Sequence, residues 1–247
     1  RKAQLRMLDI LIEVDKICRK HNIPYWLDSG TLLGAVRHGG FIPWDDDMDI
    51  AVLWKDYKKL KKILIDELPE QFMFYDWKTE KYLCLKIGKV CDLQSKYKTD
   101  SNHQMPGGAF VDIIPMHKQF SYKIRRILDY PYGRCFRRVR GFNNSKKEKI
   151  IANLAFPFLS CLVVIADGIS LLCPTKKYGH LYGGINTNLH RSYADIFPLS
   201  TISFEDQEFP CPHNIDAYLS NLYGDYMQIP PEGKREVHAL EIEFLDE

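Results

Sequence analysis

Residues 25–52 read YWLDSGTLLGAVRHGGFIPWDDDMDIAV, and the alternation at their end sets an acidic face against an apolar one. In an extended segment successive side chains point to opposite sides, so Asp45, Asp47 and Asp49 share one face while Met48 and Ile50 share the other. Carboxylates this close repel at neutral pH unless positive charge sits among them. A hard divalent cation such as Mg2+, which prefers oxygen ligands, meets that need. Met48 and Ile50 belong to the core.

Working outward, Leu5, Leu8, Ile12 and Ile17 recur near helical spacing and predict an amphipathic helix over residues 1–20, stopped ahead of Pro24. Tyr25 to Leu27 follows as a short strand, Gly30 as a turn, Thr31 to Arg37 as a short helix, and Met48 to Leu53 as a strand. From Lys55 to Leu68 the apolar positions Tyr57, Leu60, Ile63 and Leu64 return to helical spacing, closed by Pro69. Phe72 to Tyr75, Leu83 to Val90 and Ala109 to Ile114 are further strands, and Asp216 to Tyr223 is a late helix. This order predicts an α/β (α+β) fold, a mixed sheet flanked by helices. Residues 1–117 form the expected catalytic core, 118–190 a basic and apolar helical region facing an acceptor or a membrane, and 191–247 a C-terminal segment that completes the site.

The chain has 247 residues, 45% of them hydrophobic, which is enough for a substantial core. A net charge of +2 gives no global push toward nucleic acid, but the charge is uneven. Nine Lys and Arg lie between Lys118 and Lys149, against Asp129 and Glu148. That stretch carries no recognisable nucleic-acid signature, so an anionic lipid or a phosphate-rich acceptor is the preferred partner and nucleic acid is not expected. Seven scattered cysteines without a C-x-x-C pair point to reduced thiols. Residues 150–173 (IIANLAFPFLSCLVVIADGISLLC) are nearly all apolar, but Pro157, Asp167 and Gly168 interrupt them. A buried helical hairpin is the favoured reading, with a surface lying on a membrane as the alternative.

The chemistry rests on order and spacing. A strand carrying Asp47 and Asp49, preceded by Gly30 and Thr31 at a helix start, lets backbone N–H groups hold a phosphate beside a metal. A third carboxylate is supplied by Asp112, the single charge inside the apolar strand Phe110-Val111-Asp112-Ile113-Ile114, where pairing with a metal offsets the cost of burial. Such a set fits phosphoryl transfer. Lys86 and Lys89 lie near Asp112 in the strand pattern; one of them reaching a phosphate is the sharper reading and a solvated strand face the favoured one.

Gly-Thr, then Asp-x-Asp, then a later strand Asp is similar to the nucleotidyltransferase superfamily, which has Gly-Ser where this chain has Gly30-Thr31. More narrowly, WLDSGTLLGAVRHGGFIPWDDDMDI resembles the LicD family, which includes bacterial phosphocholine transferases and, more distantly, fukutin-related proteins. The resemblance extends through GAFVDIIP and returns in LYGDYMQIPPEGKREVH. It implies a nucleotidyltransferase-like fold and transfer of a phospho-alcohol from a CDP-alcohol such as CDP-choline to a hydroxyl of a glycan or lipid-linked glycan, for instance of lipopolysaccharide or teichoic acid, releasing CMP. By the same resemblance Asp47 and Asp49 bind Mg2+ or Mn2+, Asp112 completes the site and takes the proton of the attacking hydroxyl, and Gly30 and Thr31 contact the diphosphate. Gly34, Arg37, Arg235 and His238 are further candidates for holding the donor. Asp45 and Asp46 are either extra ligands or groups that orient the first ones. The expected location is cytoplasmic, with peripheral contact to the inner membrane face left open. Two rival readings remain: a nucleotidyltransferase releasing pyrophosphate from a nucleoside triphosphate, and a non-catalytic module that binds anionic lipid.

Overall fold

The amphipathic start of the chain folds as α1 (Lys2–Lys20), with its buried face turned from the one its spacing suggested: Ile17 is buried as expected, and Leu8 and Ile12 pack at the edge of the core. Met7, Ile10, Leu11, Val14, Ile17 and Cys18 are buried, whereas Leu5 is 45% exposed. The computed structural model describes residues 1–98, 106–141, 145–184, 190–235 and 241–245. After α1 come β1 (Tyr25–Leu27), α2 (Ser29–His38), β2 (Asp49–Leu53), α3 (Trp54–Glu67), β3 (Phe72–Asp76), β4 (Gly88–Asp92), β5 (Ser95–Lys98) and β6 (Phe110–Lys118). A helical pair, α4 (Tyr122–Val139) and α5 (Lys146–Leu172), precedes β7 (Lys177–His180) and β8 (Arg191–Ser192). The chain closes with α6 (Tyr193–Ile196), β9 (Ser200–Phe204), β10 (Gln207–Cys211), α7 (Ile215–Tyr223), one 3-10 turn and β11 (Glu241–Phe244).

The main sheet runs β1-β2-β6-β4-β3, with β7 on the second half of β6 and β8 beside β7. Only β2 and β6 are parallel; the remaining pairs are antiparallel, so the sheet is mixed as expected. Its two faces differ in chemistry. Ile50, Val52, Val90, Val111 and Ile113 are fully buried beneath α1 and α3. The other face carries Asp49 and Asp112, with α2 packed on β2 and α7 packed beside α2. The main core also takes Ile196, Phe204, Phe209, Tyr218 and Leu219 from the C-terminal segment, which therefore packs as part of the same body.

Three local expectations change. Gly30 is no turn, because α2 already begins at Ser29, capped by Asp28. Leu83 to Ile87 is irregular; the Lys86 N–H donates to the Gly183 carbonyl (3.0 Å), and pairing with β6 begins only at Gly88. The apolar run is not a buried hairpin either. Ser145 and Glu148 form a capping box that starts α5, and the helix then runs unbroken through Pro157 and Gly168 for 27 residues. Ala152, Val163, Ala166 and Ser170 are its buried positions, and only 17% of its most apolar stretch is buried. Among the described residues α5 alone is long and apolar enough to cross a membrane. All seven cysteines are free thiols.

Candidate active site

The site is built where β1 turns into α2 beside the start of β2. Asp28 caps α2 by accepting from the Ser29 N–H (2.8 Å), and Ser29 takes the left-handed conformation at φ 47°, which brings the helix start back over the sheet. The Asp49 N–H donates to the Thr31 hydroxyl (2.8 Å), and the Asp28 N–H donates to the Asp49 carbonyl (3.0 Å). Helix start and strand start are thereby locked together. Parallel pairing of β2 and β6 sets Asp49 beside Asp112 on one face, and β4 brings Lys89 opposite Asp112. The Lys89 ammonium hydrogen-bonds the Asp112 carboxylate.

Residues 45–48 form a loop rather than the extended strand expected, yet Met48 is still fully buried. Gln4 on α1 holds this loop, donating to the carbonyls of Ile42 (3.1 Å) and Asp45 (3.0 Å). Asp45 lies over the helix start: a methyl group on Gly30 would stand 2.8 Å from Asp45 Oδ2. Asp46 turns the other way, toward the Tyr97 hydroxyl (3.4 Å). Burial first, then the charge of Asp47 and a side-chain hydrogen bond with it, push the Asp45 pKa up to about 8. Burial, followed by the charges of Asp47, Asp112 and Asp28, raises Asp49 well above the carboxylate range. Tyr223 on α7 keeps part of its surface exposed, and burial, then the charges of Asp49, Asp28, Asp45 and Asp47, raise its pKa. These groups open on a cleft of about 550 Å³ whose walls include Gly30, Arg37, Trp44, Asp47, Asp49 and Tyr223.

Beneath the cleft lies a second set of charges. Asp28 Oδ1 accepts from Arg191 (3.0 Å) and from the Tyr218 hydroxyl (2.7 Å), and Tyr218 accepts from the Trp26 indole (2.9 Å). His180 Nε2 is 3.8 Å from Asp28 Oδ2. Burial alone would raise the Asp28 pKa, but Arg191, His180 and Tyr218 outweigh it and hold the carboxyl well below its usual range.

The match to a family model described as LicD/FKTN/FKRP, nucleotidyltransferase domain, covers residues 22–140, which include the acidic loop, β2 and β6. Residues 22–140 therefore form a LicD family-model domain. The whole chain is similar to lipopolysaccharide cholinephosphotransferase LicD of Haemophilus influenzae, at 26% identity over 267 aligned positions that cover 99% of this chain and 97% of that protein. Shorter matches link it to human ribitol 5-phosphate transferase FKRP, 53% identical over 34 residues (14% of this chain, 7% of that protein). Human ribitol-5-phosphate transferase FKTN is 42% identical over 43 residues (17% and 9%).

Within the segment that matches the family model, Asp47, Asp49, Gly30 and Arg37 line the cleft, and Asp112 stands next to Asp49 in register. Thr31 is buried, its hydroxyl accepting from Asp49. Gly34 packs away from the cleft: a methyl group there would stand 2.5 Å from the Gly40 carbonyl oxygen. The Arg37 guanidinium donates to the carbonyls of Tyr226 (3.2 Å) and Gln228 (3.4 Å) and so clamps the C-terminal segment over the cleft. Arg235 stacks on Trp44 at 4.2 Å, and His238 lies outside the described residues. Neither Lys86 nor Lys89 is a solvated strand lysine, since Lys86 hydrogen-bonds the Tyr132 hydroxyl and Lys89 binds Asp112. Gln4, Asp28, Arg191, Tyr218 and Tyr223 had not been singled out. Asp28 carries a related signal, a lone acid directly after the buried apolar strand Tyr25–Leu27. Among the described residues no group of three His, Cys, Asp or Glu stands ready to hold a metal ion. The crowding of the oxygen donors Asp45, Asp47 and Asp49, in which burial and then the charge of Asp47 raise Asp45 and Asp49, fits the chemistry of a hard divalent cation.

Proposed function

We propose that this chain transfers a phospho-alcohol, phosphocholine foremost, from a CDP-alcohol to a hydroxyl of a cell-surface glycan or its lipid-linked precursor, releasing CMP. The observation that carries the reading is the gathering of Asp45, Asp47 and Asp49, with Asp112 in register, at the start of α2. The names of the relatives, choline and ribitol phosphate transferases, support the class of group transferred. Free thiols favour a reducing, cytoplasmic setting.

In the reaction the acceptor oxygen bonds to the phosphorus that bears the alcohol, while the bond from that phosphorus to the bridging oxygen breaks. CMP leaves with the bridging oxygen, and the proton of the acceptor hydroxyl passes to Asp112, which Lys89 keeps oriented. The first N–H groups of α2, at Gly30 and Thr31, have no intrahelical acceptor and are placed for a phosphate oxygen. Asp47 and Asp49 would hold Mg2+ or Mn2+, with Asp45 beside them, and the ion would supply neutralisation of the phosphate charge. Tyr223 and the Arg37 clamp shelter the cleft from water.

Purified protein incubated with a glycan acceptor and, separately, CDP-choline, CDP-ribitol, CDP-glycerol or CDP-ethanolamine is expected to release CMP in the presence of Mg2+ and to stop on adding EDTA. The family model's name raises nucleotidyl transfer as a second reading. Pyrophosphate from a nucleoside triphosphate, with no CMP from any of the four donors, would establish that reading and reject the first.

A further inference from the structure

The largest apolar side chains of α5 point away from the protein. Leu154, Phe158, Val164 and Leu172 are 77%, 67%, 68% and 89% exposed, while the positions turned inward are mostly small. Ile150, Leu154, Phe158, Cys161, Ile165 and Leu172 are all exposed at helical spacing, one stripe about 33 Å long at 1.5 Å per residue. On the neighbouring α4, Ile127 and Tyr130 are each 70% exposed between Lys123, Arg126 and Arg134. A monomer in water rarely leaves so continuous an apolar strip uncovered.

We infer that the α4–α5 pair lies flat on an anionic lipid bilayer, with the exposed stripe of α5 set into the headgroup boundary and the surrounding lysines and arginines on lipid phosphates. A crossing orientation is excluded by how α5 is tied. Its C-terminal end is held to the sheet by Lys118, which donates to the carbonyls of Leu171 (3.4 Å) and Cys173 (2.6 Å), and by Asp167, 3.4 Å from His117. α4 packs along it, so inserting α5 across a membrane would drag the α4 arginines into hydrocarbon. A helix lying in the plane needs no such burial.

Charge selects the occupant. Exposed Lys146, Lys147 and Lys149 open α5, and exposed Lys176 and Lys177 follow its end. A second copy docking through the same face by two-fold symmetry would bring these like charges together. Anionic headgroups neutralise them. Between α5 and the end of the sheet runs a groove of about 760 Å³ with Val164 and Leu171 on one wall and Lys55, Lys58 and Lys118 among its lining, which suits an acyl chain under a phosphate. Snorkelling lysines and arginines at the fringe complete the match.

Docking does not depend on the acidic cleft, so it is read by flotation without turnover. The full chain is mixed with phosphatidylcholine vesicles with and without roughly 30% phosphatidylglycerol, at about 0.1 M and about 0.5 M salt. Two variants accompany it: Leu154→Glu/Phe158→Glu/Val164→Glu, and Lys146→Gln/Lys147→Gln/Lys149→Gln. All substituted side chains are exposed, and circular dichroism melts verify that each variant is folded. Wild type is expected to float with the anionic vesicles at least tenfold more than with the neutral ones, less at high salt, with both variants reduced severalfold or more. Failure of wild type to float with anionic vesicles, or equal flotation of the glutamate variant, overturns the inference. So does light scattering that shows a lipid-free dimer dissolved by the glutamate substitutions.

Discussion

Asp49 occupies the position in the cleft where a negative charge is hardest to keep. It is 7% exposed, next to Asp47 and Asp112, and its backbone is pinned to Thr31. An acid whose folded pKa lies above its unfolded one gives full stability only below the unfolded value, near 3.9, and loses it as pH rises toward the folded one. At neutral pH the penalty is present. Asp49→Asn removes it, so in EDTA the variant is expected to melt above wild type, by an amount on the order of 1–3 kcal/mol. In Mg2+ the order should reverse, because the wild type gains from binding and the variant does not. CMP release is expected to fall by about a thousandfold or more. Melting curves in both buffers together with turnover decide it; activity within about tenfold of wild type would remove Asp49 from the chemistry.

At the scale of elements, α2 separates two glycines that its sequence places one turn apart. A methyl group on Gly34 would strike the backbone carbonyl of Gly40 at 2.5 Å, and neither backbone can easily give. Gly34→Ala is expected to cost about 1–3 kcal/mol of stability, read as a lowered Tm. The nearest atoms to a methyl group on Gly30 belong to the carboxylate end of the Asp45 side chain rather than to backbone, so Gly30→Ala should leave Tm nearly unchanged and cut turnover at least severalfold by displacing that carboxylate. Equal loss of Tm in the two variants would refute this division. The same elements show what the sequence carried. The helix over residues 1–20, the strands around Asp49 and Asp112 and the late helix were legible because each has a run of apolar residues at its own period. The buried face of α1 was not, since both Leu5-Leu8-Ile12 and Met7-Leu11-Val14 are apolar stripes and only contact with β4 and β6 chooses between them. The pairing of β5 with β11 joins segments about 145 residues apart, and nothing local announces it. Burial of α5 was misjudged for a related reason: an apolar helix reads the same whether protein or lipid covers it.

Across the whole molecule, the acidic order Asp47, Asp49, Asp112 was visible because each acid interrupts or borders an apolar strand. The frame that holds it was not, because Arg191 and Tyr218 meet Asp28 from 163 and 190 residues away. Through them β8 and α7 are fastened to the junction of β1 and α2, so the C-terminal segment sets the angle at which α2 meets the cleft. Arg191 is 2% exposed and also lies over the Tyr218 ring at 4.3 Å, so its removal strands a buried carboxylate. Arg191→Leu is expected to cost about 3–5 kcal/mol, and Asp28→Asn added to it should restore part of that loss, since the uncompensated charge is then gone. Because the folded pKa of Asp28 is depressed, its contribution is present above the ordinary carboxylate value and disappears only as pH falls through the folded one, in strong acid. Denaturant titrations of the two single variants and the double at pH 7 and near pH 3 measure the coupling: strictly additive losses at pH 7 would mean that Asp28 and Arg191 do not act as a pair, and the fastening of α2 would then have to come from the packing of Trp26 and Tyr218 alone.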